Sequence, residues 1–372
     1  CNPRVLILAA LSLLLWLLLW LAPWQPWRCR ERLEPEPGHS AFHADFSVLI
    51  PARDEAATIG QTLAALRAAA PDAPVVLVDD ESGDATAEVA RASGLRKLTL
   101  VAGVPPPAGW SGKLWALQQG LAQVTTARVL LLDADIRLAP DILAALQRKA
   151  DEGYALVSVL AAPRFQGTAA RWLLPAFVYF FKLLYPFALA NRSGSRVAAA
   201  AGGVILIDRE VLLGAGGFGA WRDAIIDDCT LAARVKRAGH RSYLGLTQGA
   251  HSLRQQYLPG IVTMIARSAY VQLRESPLML LATTAGMLLV FWIPPAALAF
   301  TGMPRWLGLA ALLLMVFSYL PTLLYYRRNP LAAVCLPLTA TVFLAATWYS
   351  ALRAWLGTRS VWKQRRYPRR AG

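Results

Sequence analysis

Asp133-Ala-Asp135 closes the apolar run Val129-Leu-Leu-Leu132. Alternate positions would put both carboxylates on one side of an extended segment. Hard oxygen donors of that kind suit Mg²⁺ or Mn²⁺, which keeps its other positions for water and phosphate oxygens. The motif is short and common by chance. Its weight comes from the apolar run before it and from a second acidic pair, Asp227-Asp228, much later. Asp79 and Asp80 close Val75-Val-Leu-Val78 in the same way, but an Asp after a strand is as readily a helix cap or turn residue, and Asp84 is read as one. His251 could add a metal or diphosphate ligand, against the more ordinary surface or capping histidine. No G-x-G-x-x-G or Walker loop accompanies these groups, which disfavours a dinucleotide or P-loop site.

The elements that must carry these residues are legible as short apolar runs alternating with helical patterns. Strands are expected at Phe46–Pro51, Val75–Val78, Lys97–Val101, Val129–Leu132, Leu156–Leu160 and Val204–Ile207, with helices at Glu55–Ala70 and Ala85–Ala92. That order implies a Rossmann-like α/β domain over 46–254 with a mainly parallel sheet. Ligands of such sheets bind beyond the carboxyl ends of the strands, where the acidic groups fall.

Hydrophobic residues make up 56% of the chain and charged residues 16%, an excess over a soluble protein. It gathers in an N-terminal anchor at 1–27 and in membrane helices at 277–356, with candidate spans Val5–Ala22, Leu278–Phe300, Trp306–Leu324 and Leu331–Tyr349. A linker at 28–45, an amphipathic interfacial segment at 255–276 and a basic tail at 357–372 complete the division. Trp172–Ala190 is apolar too, but a crossing there would put Asp133 and Asp228 on opposite sides, so an interfacial helix is expected. The net charge of +15 does not point to nucleic acid, because the arginines flank apolar runs rather than line a face with aromatics. Arg28, Arg30 and Arg32 after the first span put the following domain, by expectation, on the cytoplasmic side. Three full later crossings would then put the basic tail outside, so one of them is expected to be re-entrant or broken, with Pro294-Pro295 and Pro337 as weak points. Four scattered cysteines give neither a zinc site nor a disulfide framework. Cys229 reads as a packed thiol, and Cys1 at the start reads as a trimmed beginning.

Together these motifs resemble the inverting family 2 glycosyltransferases of GT-A fold. The resemblance is carried by Pro51-Ala-Arg-Asp-Glu55, with Asp54 where Asn is frequent, and by Val78-Asp-Asp80 followed by Ser82, Asp84 and Thr86. Gly112-Lys113 with Ala116 and Gly120, and Gly216-Gly217-Phe218 leading to Asp227-Asp228, extend it. The run Pro105–Ala116, with Ile226–Leu231 and Ala266–Tyr270, is similar to the hopene-associated glycosyltransferases. The resemblance implies that Asp54, Glu55, Asp79 and Asp80 belong to the donor site, with Asp80 at the nucleotide base. Lys113 would meet the nucleotide or diphosphate, and Asp135 with Asp133 would hold the metal. Asp228 would be the general base. The Q-x-x-R-W motif of processive members is reduced to Arg267, which disfavours a polysaccharide synthase and leaves Arg267 as a phosphate contact.

The chemistry the resemblance implies is transfer from a nucleoside diphosphate sugar to the hydroxyl of a membrane lipid, with a hopanoid as the acceptor the subgroup suggests. Charge on the departing diphosphate needs a divalent ion and a cation such as Lys113, and the acceptor needs one carboxylate base. A ceramide-type or polyprenyl-phosphate transferase is the alternative enzyme, and a non-catalytic nucleotide-sugar-binding membrane protein the alternative of another class.

Overall fold

The computed structural model describes residues 3–36, 45–357, 360–362 and 365–367. Cys1, part of the expected linker and most of the basic tail lie outside the described residues.

The strands are β1 (Phe46–Ala52), β2 (Val75–Asp79), β3 (Leu98–Ala102), β4 (Arg128–Leu132), β5 (Ile136–Leu138), β6 (Leu156–Ala162), β7 (Val204–Asp208) and β8 (Ser242–Ser252). They form one sheet in the order β3-β2-β1-β4-β7-β6-β8-β5. Pairings are parallel across β3-β2-β1-β4 and for β6 with β8, and antiparallel elsewhere. The sheet is therefore mixed, mostly parallel and Rossmann-like, a GT-A fold. All of β1 is buried, because both faces are covered, as a parallel sheet requires. Val48 and Ile50 pack with Ile59 and Leu63 of the helix Ala56–Ala69. Leu49 faces the other way, with Leu114 and Leu117 of the helix Gly112–Leu121.

The expected linker is a strap. Leu33 N–H donates to Leu246 O, Leu246 N–H to Glu31 O, and Gln248 N–H to the Glu34 carboxylate at 2.7 Å. These bonds seat residues 31–34 along β8, which carries the sheet toward the membrane helices.

Among the described residues four helices are long and apolar enough to cross a membrane: Pro3–Leu21, Pro277–Ala297, Met303–Tyr325 and Pro330–Trp355. The second contains a π-helical turn, Leu288–Trp292. Pro294 has no N–H to offer Val290 O one turn back, and the indole of Trp16 supplies the missing donor at 3.0 Å. The expected interfacial helix is two pieces, Thr168–Leu184 and Phe187–Ala190, parted at Tyr185-Pro186. Much of its apolar face is covered by protein rather than presented to lipid: Tyr179 bonds Ser318 at 2.7 Å. Lys182, within this apolar stretch, is buried and donates to Trp27 O, Cys29 Sγ and Thr322 Oγ1.

Candidate active site

The acidic turn is held from four sides. Asp133 to Asp135 is not extended, as the alternate spacing implied, because Ile136 N–H closes a turn on Asp133 O. Asp133 N–H donates to Gly203 O, Leu253 N–H to Asp135 O, and the buried Thr62 hydroxyl to Ala134 O at 2.9 Å. Both carboxylates still line one cavity, of about 1120 Å³.

Lys113 enters from the start of the helix Gly112–Leu121, whose cap Ser111 accepts from Leu114 N–H. Its ammonium is 2.8 Å from Asp133 Oδ1 and 3.8 Å from Asp227 Oδ2. Burial pulls its pKa down, but Asp133 and Asp227 outweigh burial and hold it above the usual lysine range. Asp227 and Asp228 open the helix Asp227–Arg237. Asp228 Oδ2 accepts from Gly202 N–H at 2.9 Å and Oδ1 from Cys229 N–H at 2.7 Å. Burial first, then the charge of Asp227, push its pKa up to about 6, against the opposing pull of Lys113 and Arg267. A Cβ on Gly202 would stand 3.2 Å from Asp228 Oδ2 and 3.4 Å from Lys113 Nζ. Glycine is what lets these two groups approach.

Arg254, which sequence reading passed over, joins both sides of the cleft. Its Nε donates to Asp135 Oδ2 at 3.2 Å and its Nη2 to Glu55 Oε1 at 3.0 Å. Glu55 and Arg267 line the same cavity. Asp54, Asp79 and Asp80 do not line it. Asp54 takes a left-handed φ of 50°, a region that Asn and Asp enter more readily than most residues, and accepts from Gly83 N–H. Asp79 accepts from Ser82 N–H, and Asp84 caps the turn through Ala56 and Thr86. Asp80 is fully buried, 3.7 Å from Arg53, which does line the cavity.

His251 is placed away from the cleft. It lies within β8 opposite Arg137, not beyond the last strand, and its neighbour Ser252 donates to Asp135 Oδ2. Alternation turns His251 to the other face, and burial, then Arg137, lower its pKa. Cys229 is a packed thiol donating to Ala200 O; burial and then Asp228 push it up.

Among the described residues no three His, Cys, Asp or Glu side chains converge as a metal cage. A cation shared with a diphosphate needs less. One or two carboxylates plus substrate oxygens and water suffice, and Asp133 and Asp135 offer that donor set at the cavity wall.

Residues 47–214 match the family model of Glycosyl transferase family 2 and thus form a family 2 glycosyltransferase domain. A stretch of 95 residues is 36% identical to 4,4'-diaponeurosporenoate glycosyltransferase of Staphylococcus aureus, covering 25% of this chain and 24% of that protein. The same figures hold for the protein of another strain, USA300. The match thus spans about a quarter of those relatives' length. The mannosyltransferase PcManGT from Pyrobaculum calidifontis, in a structure with GDP-Man and Mn²⁺, superposes with a TM-score of 0.57 at 20% identity over 94% of this chain and 97% of that one. That likeness shows the fold.

Proposed function

We propose that the chain is an inverting, membrane-bound glycosyltransferase that moves a sugar from a nucleoside diphosphate donor to a lipid hydroxyl. The observation that carries this reading is Asp228: a carboxylate fixed by two backbone N–H groups, with a pKa raised to about 6, in one cavity with Lys113, Asp133 and Asp135. A base poised near neutrality can take the acceptor proton without being spent on an ion pair. As the acceptor oxygen bonds to the anomeric carbon, its proton passes to Asp228. The bond from that carbon to the diphosphate oxygen breaks, and the nucleoside diphosphate leaves. One displacement inverts the anomeric configuration.

Lys113 and Arg267 supply positive charge where the diphosphate departs, in a site partly shielded from water. Asp135, with Asp133, would hold Mg²⁺ or Mn²⁺, which supplies further neutralisation of the leaving group. The Mn²⁺ and GDP-Man of the Pyrobaculum structure support both the metal and the donor class. Arg53 would carry the influence of the buried Asp80 to the nucleotide end.

A lipid acceptor is supported by the reach of the cavity, which extends from the carboxylates to Thr283, Met287, Phe343 and Thr347 of two candidate spans. The lipid-like acceptor named for the staphylococcal relatives agrees, and the hopene-associated resemblance makes a hopanoid hydroxyl the first to try. The setting proposed is a bacterial inner membrane with the domain facing the cytoplasm.

A donor screen by thermal shift, with and without Mn²⁺, followed by transfer to membrane extract, tests the reading. Stabilisation by one nucleoside diphosphate sugar, stronger with Mn²⁺, and a labelled glycolipid are expected. Transfer that survives both Asp135→Ala and Asp228→Asn would overturn the mechanism. Donor binding without any turnover would favour a nucleotide-sugar-binding protein.

A further inference from the structure

Two indole hydrogen bonds tie the helix Leu336–Trp355 to the segment Pro277–Ala297. Trp348 Nε1 donates to Thr284 Oγ1 at 3.0 Å, and Trp292 Nε1 to Thr341 Oγ1 at 2.8 Å. The pairing 348 with 284 and 341 with 292 makes the two run antiparallel. Between these rungs lie Met287 and Phe343, and both line the cavity that begins at Asp228. The far rung, Trp292 with Thr341, lines none of it.

Along the helix axis, Pro277 to Met287 advances about 15 Å at ~1.5 Å per residue. That is about half of a ~30 Å hydrocarbon core. Just beyond Met287 the π-helical turn Leu288–Trp292 carries Trp292 to its rung, and such turns recur at functional sites. The cavity wall at this depth is aromatic: Phe180 packs against Phe343 with ring centroids 4.7 Å apart.

We infer that this inner end is a measured slot for the apolar body of the acceptor, with Met287 and Phe343 as its floor and the Trp292–Thr341 rung closing it below. The acceptor slides in from the bilayer with its hydroxyl toward Asp228, and its apolar length is read between the helices down to Met287 and Phe343. Met287 and Phe343 are then specificity-determining residues. This inference rests on the lipid-acceptor reading and adds to it a length limit and the residues that set it.

The test is a series of primary alcohols from octanol to docosanol, at matched micellar concentration, assayed with the full-length protein and its donor. For the wild type, kcat/KM should climb with chain length by less than the about four-fold per methylene of a transfer from water, because the chain comes from an apolar phase, and level off where the slot ends. Met287→Trp should move that plateau to shorter alcohols, and Phe343→Ala should move it to longer ones. The ratio of long to short acceptors within each variant is the readout, so a variant of lower yield still reports. A plateau at the same length in all three proteins, or no length dependence, overturns the slot while leaving the lipid-acceptor reading standing. Transfer to water or soluble sugars alone, with no member of the series glycosylated, overturns the lipid-acceptor reading and the slot with it.

Discussion

Arg254 Nε lies 3.2 Å from Asp135 Oδ2, and the same guanidinium reaches Glu55 at 3.0 Å. One side chain thereby links the turn after β1, the acidic turn after β4 and the end of β8, the three places where strand ends meet the cavity. A planar fork holds two carboxylates in fixed directions, where an ammonium acts as a compact point charge. Arg254→Ala is expected to lower kcat/KM about ten- to hundred-fold, the cost of charged hydrogen bonds, mainly through KM for the donor. Arg254→Lys should recover only part of it. Steady-state kinetics with the donor varied will show whether the loss falls on KM.

Asp228 gives the activity its pH dependence. Its pKa is raised from 3.8 to about 6 by burial and by Asp227, so the base form appears as pH rises through 6. The acid limb of kcat/KM should have a midpoint near that value, and Asp227→Asn should move it lower. The stability effect has the opposite sign. A raised carboxylate favours the fold when protonated, so that contribution is complete below about 4 and is lost as pH rises through about 6. Asp228→Asn is therefore expected to melt above the wild type at neutral pH while losing about 10²- to 10⁴-fold in activity. Melting curves at pH 5 and pH 8, beside a pH–rate profile, check both.

Gly202 tests the spacing of the two charged groups. Because a methyl group there would meet Asp228 Oδ2 at 3.2 Å and Lys113 Nζ at 3.4 Å, Gly202→Ala must push one of them aside by a few tenths of an ångström. A shift of that order in a reacting group is expected to cost about ten- to hundred-fold in kcat. Its backbone needs no left-handed φ, so the melting temperature should barely move. Loss of fold in step with loss of activity would point to a packing role instead.

The parallel half of the sheet was readable because β1, β2 and β4 are runs of apolar residues ending in a polar group, a pattern that burial on both faces demands. β8 was not. Its sequence, Ser-Tyr-Leu-Gly-Leu-Thr-Gln-Gly-Ala-His-Ser, mixes glycine and polar residues, and it is a strand because β6, β5 and the strap pair with it. With β8 unseen, His251 looked like a free group beyond the sheet, and nothing singled out Arg254. Asp133 and Asp135 stand out by type and spacing and Lys113 and Asp228 by resemblance, and all four line one cavity. Their partners do not stand out, since Gly202 and Arg254 matter only through long-range contact. Asp54, Asp79 and Asp84 show the converse, acidic residues in a motif that the fold uses to shape a turn.

We propose that the last apolar segment enters and returns. Pro330–Trp355 is long enough to cross, yet both of its ends lie on the domain side. Just before it, Tyr325 O accepts from Gln248 of β8 and the Tyr325 hydroxyl bonds Glu34 of the strap. At its other end Trp355 donates to the Tyr270 hydroxyl, on the helix Leu258–Gln272 whose Arg267 lines the active cavity. A 3₁₀ stretch, Pro330–Cys335, leads inward and the helix Leu336–Trp355 comes back. The segment Pro277–Ala297, by contrast, turns at its far end into Met303–Tyr325, where Gly308 packs on Ala297. Re-entry of this segment would remove the conflict with the charge rule. A cysteine at Gly357, with Cys1 and Cys335 replaced by Ala and only the buried Cys29 and Cys229 left, should react with a membrane-impermeant maleimide in inverted vesicles and not in intact cells. A cysteine in place of the exposed Arg91 of the domain should behave the same way. Labelling of the two positions from opposite sides would mean a full crossing.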